Sequence, residues 1–199
     1  MTIHPQNPQP RLVQELVAQI EKSAVVVLPT DSGYSLCCKL GQKKPLERIC
    51  RIRQLDEGHF FTLLCRDLSA ISHYGRLDNV TFRFIKSHTP APITFILSAS
   101  KAVPKELLQE KRKTIGVRIP QNAIMLELLA SLGEPLMSVS VDAASDDYPV
   151  LDPSILYDRY ENQVDYVVDG GMVALQPTTV VDLTTNFSEI IRQGTYRID

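Results

Sequence analysis

The fold is constrained most by residues 25–36, which read Val25-Val26-Val27-Leu28-Pro29-Thr30-Asp31-Ser32-Gly33-Tyr34-Ser35-Leu36. The β-branched apolar run at its start predicts a buried strand that breaks at Pro29. Polar side chains then crowd into the loop where this strand ends, and open α/β sheets place their ligands at such ends. The same residue types also form plain turns, so this stretch alone leaves a ligand site and a turn as alternatives.

The composition is typical of a globular protein with one sizeable core. Of the 199 residues, 44% are hydrophobic and 22% are charged, so we expect one domain over residues 1–199. The polar, proline-rich first ten residues do not resemble a secretory leader, and no apolar run is long enough to span a bilayer. We therefore expect a cytoplasmic protein with no membrane partner, and the oligomeric state stays open.

The cysteines and histidines give no sign of a structural metal. The four cysteines lie in the first third without a C-x-x-C pair, and the four histidines have no ligand spacing. We predict reduced thiols packed in the core at Cys37, Cys38, Cys50 and Cys65.

Charge is distributed unevenly along the chain. The net charge of −2 argues against indiscriminate binding of nucleic acid. Two segments, 43–53 and 101–118, are nevertheless each net +4, whereas 142–169 is net −7. Solvated charged surfaces are common, and that alternative stays open for each segment. Two basic clusters in a nearly neutral chain favour a defined place where anions bind.

Hydrophobic periodicity predicts helices and strands that alternate, though too irregularly for a purely parallel sheet. The predicted fold class is therefore α/β with a mixed sheet. Helices are predicted after the capping signals Asn7-Pro8, Pro45, Asp67, Asp78, Asn122 and Asp152-Pro153. Strands are predicted at 24–28, 34–40, 60–65, 93–97, 115–119, 136–141, 166–168, 179–183 and 189–192.

Two arginines end the second predicted helix, and guanidinium groups suit phosphate oxygens because they donate in parallel pairs. Residues two apart on a helix point about 200° apart. Arg51 and Arg53 can therefore serve one site only if Arg53 lies beyond the helical turn. A solvated helix end, favoured by the helix dipole, is the alternative.

Polar side chains alternate at the end of the predicted strand 136–141. Ser138, Ser140 and Asp142 therefore share one face. Burying three polar groups is costly unless they meet water, a ligand or one another. The signatures G-x-x-x-x-G-K-[ST], G-x-G-x-x-G and G-x-S-x-G do not occur in the sequence, so the common nucleotide-binding loops and the serine hydrolases are not indicated.

Seven short motifs, in this order, resemble the YrdC/YciO family over almost the whole chain. The segments Arg48–Leu55 and Gln109–Gly116 are similar to the YciO branch in particular. The seven motifs are Pro29-Thr30-Asp31, Arg51-x-Arg53, Thr89-Pro90-Ala91-Pro92-Ile93-Thr94, Arg118-Ile119-Pro120, Ser138-x-Ser140-x-Asp142, Pro177-Thr178-Thr179-Val180-Val181-Asp182 and Arg192-x-Gly194.

The resemblance implies a YrdC-like fold, which is a twisted mixed parallel/antiparallel sheet with flanking helices and a large basic concave face. YrdC members condense L-threonine, bicarbonate and ATP into threonylcarbamoyl-adenylate and release pyrophosphate, the first step of threonylcarbamoyladenosine formation in tRNA. If this chain is an enzyme, the resemblance implies a nucleotidyltransferase with ATP as substrate. A carbamate attacking the α-phosphate brings two anions together, so catalysis must be mostly positioning and charge neutralisation.

The resemblance also implies roles for individual residues. The catalytic, phosphate-holding set would be Arg51, Arg53, Ser138 and Ser140, together with Arg192. The other residues that bind the nucleotide or shape the amino-acid side of the pocket would be Thr30, Tyr34, Arg118, Asp142 and Thr179.

Departures from the family pattern concern the phosphate site. Arg51 replaces the usual lysine, Gln54 replaces a proline, and the next family lysine is replaced near Phe60. Asp142 stands where the family has asparagine, and its carboxylate would repel a triphosphate. A Mg²⁺ ion that bridges Asp142 and phosphate would turn this repulsion into attraction. We therefore expect nucleotide binding with a synthase reaction that is weakened or directed to another acceptor.

An RNA-binding protein without catalysis is the alternative from another class. Members of the family have been described as binding double-stranded RNA, and a basic segment of this chain offers phosphate contacts for tRNA or another duplex. The cations of this segment are Lys101, Lys105, Lys111, Arg112 and Lys113.

Overall fold

The computed structural model describes residues 1–55, 61–104, 113–141, 150–185 and 187–198. The helices in these ranges are α1 (Pro10–Glu21), α2 (Lys43–Arg53), α3 (Leu68–Tyr74), α4 (Asn79–Ser87), α5 (Ala123–Leu132) and α6 (Pro153–Tyr160). The strands are β1 (Val26–Thr30), β2 (Gly33–Lys39), β3 (Thr62–Leu64), β4 (Ile93–Ser98), β5 (Thr114–Arg118), β6 (Leu136–Ser140), β7 (Val150–Leu151), β8 (Tyr166–Val167), β9 (Val173–Ala174), β10 (Thr179–Asp182) and β11 (Glu189–Arg192).

Nine strands form one sheet in the order β11-β10-β4-β5-β3-β6-β2-β1-β8, and β7 pairs with β9. The pairs β1–β8, β10–β4 and β3–β5 are parallel, and the other neighbours in the sheet are antiparallel. The predicted α/β class with a mixed sheet is confirmed. Across the described ranges, none of the helices combines the length and the apolar character of a membrane span.

Capping residues visible in the sequence start several of the helices. Asp67, Asp78 and Asn122 each accept a hydrogen bond from the backbone N–H three residues further on, at 2.9, 2.7 and 3.0 Å respectively. These bonds satisfy donors that have no partner inside the helix. Gly133 ends α5 in the left-handed conformation with φ 74°, which a glycine adopts without steric cost.

The first helix begins later than predicted. α1 starts at Pro10 after the extended residue Gln9, whereas the sequence suggested a start at Asn7-Pro8. Proline suits the first turn in either position, but the buried side chains of α1 begin at Val13, one turn after Pro10. Pro10 also restricts Gln9 to an extended backbone, with ψ at 119°, and this fixes the boundary.

Pro29 does not break the first strand, contrary to the prediction. β1 continues to Thr30, and Pro29 pairs with Tyr34 of β2. The other neighbour, β8, pairs with β1 only as far as Val27. Pro29 therefore lies where β1 has become an edge, and there its missing N–H costs no hydrogen bond.

The two faces of the sheet are covered differently. On one face, Phe95 and Val117 belong to the larger buried cluster. On the other face, Leu28 and Leu136 pack in a second cluster with side chains of α1 and α5. Thr62 shares the face of its strand neighbour Leu64, which belongs to this second cluster. Beyond the two helices the second face is therefore open and polar, and this opening positions the candidate site.

Three of the four cysteines are buried, so we expect the native protein to react with a thiol reagent at Cys50 alone. Burial raises the pKa of the Cys38 and Cys65 thiols to about 12 and also raises the pKa of Cys37. The pKa of Cys50 is raised by burial as well, but this thiol is partly exposed. Because the thiolate is the reactive form, the buried thiols should react at least about 100-fold more slowly at pH 8. Titration with a chromogenic disulfide and mass spectrometry measures this, with Cys50→Ser as control. Rapid modification of a second thiol before unfolding would contradict the expectation.

Candidate functional site

A cavity of about 1040 Å³ opens over the part of the sheet face that α1 and α5 leave uncovered. Its floor consists of alternate residues on adjacent strands, since side chains two apart share a face. Thr62 of β3, for example, lies beside Gly116 of β5 and Ser138 of β6, and all three line the cavity. Small-molecule sites commonly occupy about 300–1,000 Å³, so this cavity has room for a large organic ligand.

Hydroxyl side chains line one side of the floor. Ser35 of β2 lies opposite Ser140 of β6, and the Ser138 hydroxyl donates to the Thr62 carbonyl oxygen at 3.0 Å. Ser138 and Ser140 both line the cavity, as their alternation predicted. Ser35 and Ser138 are almost buried, yet each hydroxyl keeps lone pairs that can accept a hydrogen bond.

Of the two predicted arginines, Arg53 lines the cavity and Arg51 does not. Arg53 is the last residue of α2, and Gln54 turns the chain in the left-handed conformation with φ 50°. The Arg53 Nε donates to the Ser140 carbonyl oxygen at 2.8 Å. Arg51 is exposed, as its rotation of about 200° from Arg53 implies. The structure therefore does not bring the two guanidinium groups together.

Arg192 on β11 contributes a second guanidinium to the cavity lining. Its Nε donates to the Thr178 carbonyl oxygen at 3.1 Å and its Nη2 to the Thr178 hydroxyl at 2.9 Å. The Thr178 hydroxyl in turn accepts from the Thr94 hydroxyl at 3.4 Å. These bonds orient an otherwise exposed side chain at the edge of the cavity, where it can meet an anion.

Arg118 on β5 reaches the cavity from a buried position, paired with Asp31. The two side chains are 5% and 10% exposed. Arg118 donates to the Asp31 Oδ1 and, at 2.6 Å, to the Ser32 hydroxyl. Burial lowers the pKa of Arg118, and the adjacent Asp31 opposes this shift. Among the described residues, the Asp31 Oδ2 and the Arg118 Nε are buried without a hydrogen-bond partner.

Thr30 stabilises the turn between β1 and β2, Tyr34 joins β2 to residues 170–171, and neither lines the cavity. The Thr30 hydroxyl donates to the Gly33 carbonyl oxygen at 2.9 Å. The Tyr34 hydroxyl donates to the Gly171 carbonyl oxygen at 2.7 Å and accepts from the Gly170 N–H at 3.2 Å. Burial raises the pKa of Tyr34 to about 12, so its phenol stays neutral at physiological pH.

Thr179 is fully buried beneath the C-terminal segment and also lies outside the lining. Its hydroxyl donates to the Tyr196 carbonyl oxygen at 2.6 Å and accepts from the Gly194 N–H at 3.0 Å. A Cβ at Gly194 would overlap the Pro177 carbonyl oxygen and would lie 2.6 Å from the Thr179 nitrogen. Thr179 and Gly194 therefore hold the segment that follows Arg192 tightly against the edge of the cavity.

The charged segments of the sequence are only partly described. Lys101 and Lys113 are exposed, and neither lines the cavity. The RNA-binding alternative and the metal role of Asp142 therefore stay predictions. The predicted residues that lie outside the described ranges are Lys105, Lys111, Arg112 and Asp142.

Part of the lining, on β4 and β10, was not assigned to the site from the sequence, although Thr94 and Asp182 belong to the family motifs. Thr94, Ile96 and Ser98 alternate on β4 and line the cavity, as does Asp182 at the end of β10. The alternation was visible in the sequence but is typical of any half-buried strand.

The charges of the cavity favour an anionic ligand. Three arginines and one acid occur among the lining residues that the structure describes, and a lining with excess positive charge attracts anions. Across the same described ranges, no three histidine, cysteine, aspartate or glutamate side chains come together as metal ligands.

The chain is an α/β protein with an arginine-flanked, hydroxyl-lined cavity on the open face of its mixed sheet. Residues 18–194 match the Sua5_yciO_yrdC family model, which is described as telomere recombination. The chain therefore belongs to the Sua5/YciO/YrdC family, as its motifs indicated.

Escherichia coli YciO is similar to almost the entire chain. It is 52% identical over 192 residues, which cover 96% of this chain and 93% of YciO. Its crystal structure matches with a TM-score of 0.91 at 50% identity and covers 98% of this chain and 95% of that one. These values confirm the predicted similarity to YciO.

More distant relatives carry functional names. Mouse threonylcarbamoyl-AMP synthase is 26% identical over 178 residues, which cover 84% of this chain and 61% of the mouse protein. The crystal structure of P. abyssi Sua5 complexed with L-threonine matches with a TM-score of 0.86 and covers 98% of this chain and 57% of Sua5. Its identity is 19%, so this likeness shows the shared fold alone.

Proposed function

We propose that the cavity binds ATP together with L-threonine and bicarbonate, and that the protein forms an adenylate of the threonylcarbamoyl type slowly or with another acceptor. The observation that carries this proposal is that Arg53, Arg192, Ser138 and Ser140 line one cavity of about 1040 Å³. These groups come from three separate elements, and each suits phosphate oxygens. The names of the mouse and P. abyssi relatives support the choice of substrates.

The reaction joins two anions, and the lining suits that requirement. The threonine amine and bicarbonate give a carbamate and release water, and a carbamate oxygen then attacks the α-phosphorus. The bond from this phosphorus to the bridging oxygen of the β-phosphate breaks, and pyrophosphate leaves. Arg53 and Arg192 would neutralise charge on the phosphates, and the Ser140 hydroxyl would donate a hydrogen bond to a phosphate oxygen. The Ser138 hydroxyl would do the same on turning away from the Thr62 carbonyl oxygen.

The buried pair Arg118–Asp31 would serve the amino-acid side of the cavity. Its two unpartnered atoms are one donor, the Arg118 Nε, and one acceptor, the Asp31 Oδ2. An amino acid carries both an acceptor carboxylate and donor groups. Of the two residues only Arg118 lines the cavity, so its guanidinium would bind the carboxylate of the amino acid, while Asp31 would hold the guanidinium in place.

The exposed position of Arg51 supports a weakened or redirected reaction. The family usually has a lysine here, and in this chain the replacing guanidinium lies outside the cavity lining. The phosphates would therefore meet fewer cations during the attack. A slower transfer, or a different acceptor, follows from the lower charge.

The proposal is tested by ATP binding and by pyrophosphate release. Purified protein is titrated with ATP in a calorimeter, then incubated with ATP, L-threonine and bicarbonate while pyrophosphate is followed. We expect binding, and slow pyrophosphate release that depends on threonine. If ATP does not bind and release stays at the level of the blank, the proposal is wrong.

Three arginine variants, one of them a control, make the test specific. Arg53→Ala should weaken ATP binding by about 10- to 100-fold, because a hydrogen bond to a charged group contributes about 1.5–3 kcal/mol. Arg83→Ala is the matched control, since Arg83 is an exposed arginine on α4 outside the lining. Arg51→Ala should change affinity by less than about threefold. A loss as large as that of Arg53→Ala would restore the role that the sequence motif suggested for Arg51.

A further inference from the structure

Asp182 is the one acid among the described residues that line the cavity. Its Oδ1 accepts a hydrogen bond from the Thr184 N–H at 2.8 Å. This bond fixes the orientation of the carboxylate and leaves its second oxygen able to accept. Because a carboxylate repels phosphate, a ligand fits here only if it places a donor group, and not a phosphate, beside Asp182.

Apolar side chains surround this carboxylate. Ile96 lies directly beside Asp182 across β4 and β10, and Val180 is two residues earlier on the same face. Ile191 of β11 also lines the cavity, although it is 54% exposed. Three aliphatic side chains next to one acceptor suit a flat ring that carries a donor at its edge.

Hydroxyl groups complete this end of the cavity. Ser98 of β4 lies opposite Thr114 of β5, and both line the cavity. A hydroxyl both donates and accepts, so the two side chains can adapt to the ring nitrogens of a base. Of Ser98, Thr114 and Asp182, only Asp182 requires a hydrogen-bond donor on the ligand, because an ionised carboxylate accepts and cannot donate.

We propose that Asp182 determines base specificity by accepting a hydrogen bond from the exocyclic amino group of an adenine that packs on Ile96, Val180 and Ile191. The inference rests on the proposed function, because it assigns the base of the nucleotide whose phosphates Arg53 binds. Adenine presents an amino donor at its C6, whereas guanine and hypoxanthine present a carbonyl oxygen there. In a base held in this pose, the Asp182 carboxylate would face the amino group of adenine or the repelled carbonyl oxygen of guanine and hypoxanthine, whose ring N–H lies at the neighbouring N1.

The test compares ATP with inosine triphosphate, which carries a carbonyl oxygen in place of the amino group. Calorimetry in EDTA should give affinities that differ by about 10- to 100-fold in favour of ATP, as for a hydrogen bond to a charged group. In the Asp182→Asn variant this ratio should fall to within about threefold, because an amide donates as well as accepts. The variant retains an acceptor for the Thr184 N–H.

Glu189→Gln is the matched control. Glu189 lies opposite Asp182 across β10 and β11 but outside the cavity lining, so the variant removes the same charge nearby. It should leave the ratio unchanged. Equal binding of both nucleotides to the unaltered protein overturns the inference and leaves the proposed function standing, whereas binding of neither overturns the proposed function itself. An unchanged ratio in Asp182→Asn would overturn the inference. If a second titration with Mg²⁺ in place of EDTA then showed that this variant loses the Mg²⁺-dependent part of its ATP affinity, Asp182 would be a metal ligand.

Discussion

Replacing Arg118 by methionine is expected to lower the free energy of unfolding by about 3–5 kcal/mol, because it leaves the Asp31 carboxylate buried without its counter-charge. The pair is 5% and 10% exposed, so the Asp31 carboxylate has little access to water that would replace the lost guanidinium. The Ser32 hydroxyl loses its 2.6 Å bond in the same change. Urea unfolding followed by circular dichroism measures the loss, provided that the dependence of the unfolding free energy on urea stays constant.

A second ion pair gives the control for this experiment. Arg48 and Asp165 are 2.7 Å apart, but their side chains are 36% and 38% exposed. Arg48→Met should therefore cost no more than about 1 kcal/mol. The double variant Asp31→Asn with Arg118→Met should recover part of the loss, because no unpaired charge stays buried. Equal losses for Arg118→Met and Arg48→Met would show that the first pair is solvated.

Gly194→Ala is expected to cost about 3 kcal/mol, at the upper end of the range for overpacking. The added Cβ would overlap backbone atoms of residues 177–179, which cannot rotate away as the end of a side chain can. The alternative for the chain is to detach its C-terminal segment. It would then lose the Gly194–Thr179 and Thr195–Pro177 hydrogen bonds, each 3.0 Å long, and these contribute about 1 kcal/mol apiece.

Urea unfolding gives the total cost, and hydrogen exchange at the Thr195 amide shows whether the segment detaches. Gly133→Ala is the control, because Gly133 has φ 74° but nothing within 4 Å of an added Cβ. It should cost about 1–2 kcal/mol through the backbone conformation alone, without faster exchange at Thr195. If Gly194→Ala proves as stable as the unaltered protein, the close approach of these backbone segments is not real.

Periodicity and capping signals predicted the existence of most helices and strands, but they predicted the residues at which these elements begin and end less well. The caps at Asp78 and Asn122 depend on side chains adjacent to the helix, so local sequence suffices for them. The continuation of β1 through Pro29 depends instead on how far its neighbour β8 extends. β7 and β9 were not predicted, because their pairing with each other is defined by the rest of the fold.

The candidate site was predicted as a set of motifs. The structure shows which residues of each motif have side chains that face the cavity and which have side chains that face the core. Tyr34 and Ser35 are neighbours on β2, yet Ser35 faces the cavity and Tyr34 faces the larger core. In the same way, Thr178 lines the cavity and its neighbour Thr179 does not. Spacing gives the alternation but not which of its two faces is open, since that depends on where α1 and α5 pack.

The contacts that frame the cavity join distant parts of the chain. Arg53 to Ser140 and Arg118 to Asp31 each link residues 87 positions apart, and Thr94 to Thr178 links residues 84 apart. Closing such long loops is entropically unfavourable until many contacts form together. The cavity should therefore arise late in folding and all at once. A chain still emerging from the ribosome, or any fragment of it, would have no partial version of this cavity with which to hold a nucleotide.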